Sequence, residues 1–280
     1  MEQRRGSLIG SIALMLGAAG SNQVGAALGA RAFDAIGPAG VVAVRQLVAA
    51  AVLVPTARPP FRTMTRAQWW PTVLLALVFA TMNLSLYTAI SRIGLGLAVT
   101  LEFVGPLAVA LFGSHHRRDL VTAVAAGIGV YVLVLPDASS DWLGIALGLL
   151  AATCWACYIV LNREVGKRLP GLQGPAAATT ITSLLYLPVL IGLGMQGSLG
   201  GAPLAYATVA GVLSSAVPYA FDLLALRRVN ARFFGVFMSA HPVMAAIAGL
   251  LILGQALVPH EILGMVIVVC TNAYAVTRSR

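Results

Sequence analysis

About ten times along this chain, an apolar run long enough to cross a bilayer ends at a small group of charges, a proline or a glycine. The runs cover 8–30, 38–56, 71–90, 95–113, 119–135, 142–162, 174–195, 203–226, 233–253 and 258–276, with boundaries good to several residues. Each has roughly the 17–25 residues that a helix needs to span the hydrocarbon layer. Such a pattern leaves few folds open, because the bilayer interior offers no water to an unpaired backbone group. Composition agrees. Apolar residues fill 59% of the 280 positions, charged residues 10%, and mean hydropathy is +0.89. A soluble domain averages about 45–50% apolar and about 25% charged. The expected fold is an all-α integral membrane protein with short connections and no inserted soluble domain. The first run lacks a cleavage-type end and leads straight into the others, so it reads as a retained helix.

The net charge of +9 would suit nucleic acid only if it formed a basic face, and it does not. It orients the chain instead. With the N-terminus inside, the inner segments hold Arg4, Arg5, Arg58, Arg62, Arg66, Arg117, Arg118, Arg163, Lys167, Arg168, Arg227, Arg228, Arg232, Arg278 and Arg280, fifteen of the eighteen basic residues. The outer segments hold Arg31 and Arg92, and Arg45 lies within a span. Asp137, Asp141 and Glu261 fall outside, where acids weigh little. This distribution predicts an even number of spans with both termini cytoplasmic.

Glu102 stands in the middle of the fourth run, four residues before Pro106. A carboxylate at that depth is costly and is usually present for transport or proton handling. The proline has no N–H to donate, so the Glu102 carbonyl loses its helical partner. The alternative reading is a structural glutamate paired with Arg45, beside a proline that only bends its helix.

The two halves echo one another. Ile12-Ala13-Leu14-x-Leu16-x-Ala18-Ala19 matches Ile145-Ala146-Leu147-x-Leu149-x-Ala151-Ala152, Pro106 finds a counterpart in Pro242, and Arg92 in Arg228. Pro242 in turn frees the carbonyl of Met238, the positional counterpart of Glu102. Five spans per half is an odd number, so the second half would enter the membrane inverted. That is a common transporter architecture, with the binding site near mid-membrane where the repeats meet.

Several strings resemble a known group. Leu101-Glu102-Phe103-Val104-Gly105-Pro106-Leu107-Ala108-Val109-Ala110-Leu111-Phe112 resembles the fourth helix of bacterial threonine/homoserine exporters, in the EamA-type branch of the drug/metabolite transporter superfamily. Cys154-Trp155-Ala156-Cys157-Tyr158-Ile159 is similar to that group's sixth-helix motif. Pro218-Tyr219 with Asp222, and Phe234-Gly235-x-x-Met238-Ser239-x-His241-Pro242, are similar to its eighth and ninth helices. Arg45 in Val44-Arg45-Gln46-Leu47 matches its second-helix arginine. The resemblance covers nearly the whole chain. It implies ten transmembrane helices as a 5+5 inverted repeat around a central cavity, with repeats at 1–137 and 138–280. It also implies export of amino acids or related metabolites from the cell across the plasma membrane. Two departures stand out: His241 and Gln255 occupy positions where the group usually carries Glu.

In such a cavity Glu102 would hold an ammonium group or exchange a proton, and Arg45 would grip a carboxylate through its planar fork or serve in a structural pair. Asn22, Asn83, Tyr87, Trp155, Tyr158 and Tyr219 either line the cavity or hydrogen-bond and anchor their helices. His241 is either a proton relay or an imidazole satisfied by a neighbouring helix. Asp222, one turn from Arg227 and Arg228, reads as half of a local ion pair.

Other matches fail on context. Gly192-Leu193-Gly194-Met195-Gln196-Gly197 fits GxGxxG but ends an apolar helix and follows no strand, so no dinucleotide cofactor is expected. Cys154 and Cys157 lie in the sixth apolar run and, with Cys270, read as small apolar residues. His115-His116-Arg117-Arg118 reads as a basic cytoplasmic loop, not a metal site. The sequon-like Asn83-Leu84-Ser85 lies inside a span. No Walker A loop, HExxH or GxSxG is present, which speaks against ATP-driven transport by this chain and against a membrane enzyme on lipid-linked substrates. The preferred reading is a secondary transporter of small solutes, driven by protons or by substrate concentration. A broader drug or metabolite exporter is the near alternative. A membrane scaffold is the remaining one, since Gly25/Gly29 and Gly144/Gly148 suit close helix packing within or between chains.

Overall fold

Prolines decide where several of these helices stop. The computed structural model describes residues 2–112, 117–135, 140–217 and 239–278, and among them there are helices and no strand. The helices are α1 (Glu2–Ala30), α2 (Phe33–Ala57), α3 (Arg66–Ile93), α4 (Leu95–Glu102), α5 (Val104–Phe112), α6 (Arg117–Val134) and α7 (Trp142–Gly166). They continue as α8 (Gln173–Leu185), α9 (Leu187–Met195), α10 (Gly201–Gly211), α11 (His241–Ala248) and α12 (Pro259–Arg278). α10 and α11 each run on into one π-helical turn, Val212–Ala216 and Gly249–Leu253.

Each apolar run of the sequence holds helix, but four are not single α-helices. The run 95–113 breaks at Phe103, where Pro106 sits in the first turn of α5 and cannot close a bond to the preceding turn. The run 174–195 bends by 43° at Tyr186, because Pro188 does the same to α9. The other two contain the π turns. Pro242 also lies in the first turn of its helix, directly after the turn at Ser239 and Ala240. Both prolines named from sequence as kinks therefore open a helix. Residues 218–238, Met238 and its carbonyl among them, lie outside the described residues. α2 also carries a kink at Gly37, whose positive φ of 67° favours glycine.

α2, α3 and α7 are each long and apolar enough to cross a membrane, and α8 with α9 form a fourth if the bent pair is one span. Large apolar side chains on the outside, such as Met195 (86% exposed), Leu251 (76%) and Val121 (68%), suit lipid contact better than water.

Small residues set the helix spacing, and they do so within the chain. A Cβ at Gly25 would meet Ser214 and Leu213, and one at Gly29 would meet Ala210 at 3.1 Å, so α1 lies close against the end of α10. Gly144 faces Ile93 and Arg92, and Gly148 faces Leu101 at 3.0 Å, which docks α7 onto α3 and α4. The closest approach is at Gly105, where a Cβ would run into the backbone carbonyl of Ala152. Gly105→Ala is expected to cost about 1–3 kcal/mol by overpacking, because backbone cannot swing aside as a side chain can. Gly127, on an open face of α6, has nothing within 4 Å of a Cβ. There Gly127→Ala should gain about 0.5–1 kcal/mol of helix preference. Melting curves of the two purified variants should move in opposite directions; a common shift would refute this account.

The start of α7 is held electrostatically. Asp141 is its N-cap, accepting from Gly144 N–H at 2.8 Å, and Arg92 Nε donates to it at 3.0 Å. The Gly144 bond first, and Arg92 next, hold its carboxyl below the usual carboxylate range. The stabilisation is thus complete above the ordinary carboxylate pKa of about 3.9 and fades as pH falls through the lower folded value. Melting of wild type against Asp141→Asn should diverge above that window and converge below it.

Candidate functional site

The helix break at Phe103 brings a buried carboxylate to the edge of a cavity. α4 is buried along its whole length and ends at Glu102, which is 6% exposed. Beyond it the chain turns at Phe103, and Asn272 of α12 donates its amide N–H to the Phe103 carbonyl at 3.2 Å. The sequence points to an unpaired carbonyl at Glu102; the carbonyl that takes a side-chain partner here is the next one, that of Phe103. Phe103 itself packs edge-on to Trp155 (centroids 4.6 Å) and against the His241 ring (5.4 Å).

The cavity has a volume of about 120 Å³, several times what one water needs. Of the residues singled out from sequence, Asn22, Arg45, Asn83, Tyr87, Glu102, Trp155 and His241 line it together. Tyr158 does not; one turn along α7 from Trp155, it stacks on Phe79 at 5.3 Å. Tyr219 and Asp222 lie outside the described residues, as do His115 and His116.

Arg45 and Glu102 share the cavity, yet no ion pair within 4 Å joins them among the described residues. The guanidinium is braced elsewhere. Its Nη1 donates to Asn83 Oδ1 at 2.7 Å and its Nη2 to the Ser214 carbonyl at 3.2 Å, in the π turn after α10. Asn83 is oriented in turn by donating to the Phe79 carbonyl at 2.8 Å. The π turn is also held by Ser21, whose hydroxyl donates to the Leu213 carbonyl at 2.8 Å, and by Ser214 donating to the Asn22 carbonyl at 2.9 Å. The Arg45 charge lies 5.3 Å from the Tyr87 ring centroid.

Three buried polar atoms have no hydrogen-bond partner among the described residues: Arg45 Nε, the Tyr87 hydroxyl and His241 Nε2. All three belong to residues lining this one cavity. Native interiors seldom leave such groups unpaired, and an unpaired cluster marks a place where a solute or water completes the bonding. No three His, Cys, Asp or Glu side chains gather where a metal could be held, among the described residues.

Comparison with known proteins identifies the setting. Residues 142–276 match the EamA-like transporter family. The chain is 34% identical over 261 residues to the threonine/homoserine exporter RhtA of Escherichia coli (strain K12), covering 91% of this chain and 87% of that protein. It is 34% identical over 268 residues to the protein of that name from Salmonella typhimurium (strain LT2), covering 93% and 89%. The chain belongs to the EamA-like transporter family. A crystal structure 18% identical in sequence superposes at a TM-score of 0.64, over 96% of this chain and 97% of the other, so its fold is shared. An EamA-like transporter is a multi-pass membrane protein and not an enzyme.

Reading the sequence missed Gln23 and Phe103, which line this transporter's cavity, and Ser214, which braces Arg45 from outside the lining. Gln23 sits 3.2 Å from His241 Nδ1, although a polar Ser21-Asn22-Gln23 triplet in an Ala/Gly-rich helix was signal enough. Phe103 and Ser214 were invisible, since their roles depend on a helix break and a π turn. Gln255, the second departure from the group's pattern, has a structural part. Its side-chain oxygen accepts the Leu95 N–H at 2.9 Å and so caps the start of α4, a task for which an amide oxygen serves as a carboxylate would.

Proposed function

We propose that this chain is a secondary transporter exporting amino acids of the threonine/homoserine kind, or small metabolites related to them, across a bacterial plasma membrane. The observation that carries the reading is the meeting of one carboxylate, Glu102, and one guanidinium, Arg45, in a single cavity. A zwitterionic amino acid presents the complementary pair of charges, and each cavity charge is costly to bury without such a partner. The relatives' names add the substrate class and the direction. Drug-sized ligands usually occupy pockets of about 300–1,000 Å³. A cavity of about 120 Å³ favours the smaller solute.

The mechanism we infer is alternating access by a ten-span, 5+5 inverted repeat with both termini cytoplasmic. Repeats 1–137 and 138–280 rock about the cavity, which takes Arg45 and Glu102 from the first and Trp155 and His241 from the second. Glu102 is the coupling residue, exchanging a proton for the substrate ammonium as access alternates. The direct test is efflux of preloaded threonine and homoserine from cells with and without the chain, at verified membrane expression. Efflux several-fold faster with the chain is expected; equal rates for both solutes would remove the substrate assignment.

A further inference from the structure

His241 lines the cavity, and its Nδ1 meets Gln23. Gln23 and His241 are 3% and 6% exposed, and Gln23 Nε2 lies 3.2 Å from His241 Nδ1. With the amide nitrogen of Gln23 on this side, its N–H donates and Nδ1 accepts. An imidazole that accepts at Nδ1 is neutral and carries its proton on Nε2. That Nε2 is one of the buried atoms without a partner among the described residues, and the others are Arg45 Nε and the Tyr87 hydroxyl. An arginine Nε–H has no acceptor capacity, and a tyrosine hydroxyl can donate. The cavity therefore presents three unspent donors, two of them with no other option, against a single acidic side chain. Donors held ready in a desolvated site are what an anionic acceptor with several lone pairs requires.

We propose that Gln23 is a positioning residue that locks His241 in the Nε2–H tautomer, so that His241, Arg45 and Tyr87 together form a donor cradle for the carboxylate of the substrate. This rests on the transport reading above and deepens it by assigning the substrate's two charged ends: ammonium toward Glu102, carboxylate toward the cradle. Specificity follows. A solute with a carboxylate and no ammonium keeps the cradle contacts, whereas an amine lacking the carboxylate leaves the donors unpaired, and buried unpaired donors are penalised. Gln23 makes no contact with substrate in this scheme; it acts by fixing which nitrogen of His241 carries the proton.

The experiment uses the full chain in lipid and two readouts. The first is the ¹⁵N spectrum of the His241 ring, assigned by comparison with His241→Gln. Wild type should show the neutral Nε2–H form, and Gln23→Leu should lose that single form. An Nδ1–H ring or an imidazolium in wild type overturns the proposal, whatever the chain transports. The second readout is ligand-induced thermal stabilisation, titrated with threonine, with 3-hydroxybutyrate (carboxylate without ammonium) and with threoninol (ammonium without carboxylate). His241→Gln, whose amide N–H can replace Nε2–H, should bind threonine within a few-fold of wild type. His241→Leu should lose roughly 10- to 100-fold, the usual weight of one hydrogen bond to a charged group. His241→Glu should weaken threonine and 3-hydroxybutyrate while sparing or favouring threoninol. Equal threonine affinity for wild type and His241→Leu, or tighter binding of threoninol than of 3-hydroxybutyrate to wild type, overturns the cradle. Stabilisation by 3-hydroxybutyrate in a protein that moves no amino acid would sustain the cradle and sink the transport assignment instead.

Discussion

Glu102→Gln is expected to abolish gradient-driven export while leaving the fold intact. The substitution preserves volume and hydrogen-bonding capacity, so packing around the break at Phe103 should survive. It removes the one acid among the described residues lining the cavity. An amide neither releases a proton in the accessible pH range nor balances an ammonium group. Loss of one charge-assisted contact corresponds to about 10- to 150-fold in affinity, and loss of coupling should take the remaining transport to background. The measurement is threonine movement by purified protein in liposomes, with and without an imposed proton gradient. The variant should still melt within about 2 °C of wild type. A Glu102→Gln protein whose transport follows pH as wild type does would strip Glu102 of the coupling role.

Arg45→Ala should be more damaging, because Arg45 serves both as brace and as ligand. It donates to Asn83 on α3 and to the Ser214 carbonyl in the π turn, joining elements far apart in the chain. Truncation leaves those two acceptors unpaired, at about 1–3 kcal/mol each where burial is complete, and less where water enters. It also leaves Glu102 without a nearby cation in the cavity. We expect at least a 100-fold loss of threonine transport together with a lowered melting temperature. Arg45→Lys separates the two roles. A lysine restores the charge but not the planar fork that reaches Asn83 and Ser214 at once, so it should recover stability poorly and transport only in part. Full recovery by lysine would mean that charge alone matters. An unchanged range of substrates in a well-folded Arg45→Ala protein would remove it from recognition.

The membrane character of this chain and the identity of seven cavity residues could be read from sequence for the same reason. Apolar runs are a local signal, and a charged or amphipathic group inside one is conspicuous against it. Tyr158 shows the limit of that signal. It has the same residue character as Tyr87, yet a shift of one turn along α7 moves it from the cavity to Phe79. Pro188 was as legible as Pro106, but the break at Tyr186 was overlooked because no charge drew attention to it. The π turns at Val212–Ala216 and Gly249–Leu253 have no local marker, and one of them supplies the carbonyl that holds Arg45. Gln255 was read as the loss of a charge, whereas its work is to cap α4 at a residue 160 positions earlier.

Most long-range polar ties among the described residues run from a side chain to a backbone group, the Gln23–His241, Arg45–Asn83 and Arg92–Asp141 pairs being the exceptions. Arg31 and Arg45 end on the carbonyls of Ile252 and Ser214, Thr182 on that of Ala76, Tyr186 on that of Ala80, and Asn272 on that of Phe103. Every residue type carries a backbone carbonyl, so the receiving position is free to change identity while the donor is not. Mutational tolerance across such a tie should therefore be asymmetric: Ile252 or Ala80 can drift among apolar residues without losing the bond, but Arg31 or Tyr186 cannot. Contacts of this kind leave no compensating pairs for co-variation to find, so a map of coupled positions would miss them and show only the side-chain pairs such as Gln23–His241 and Arg92–Asp141.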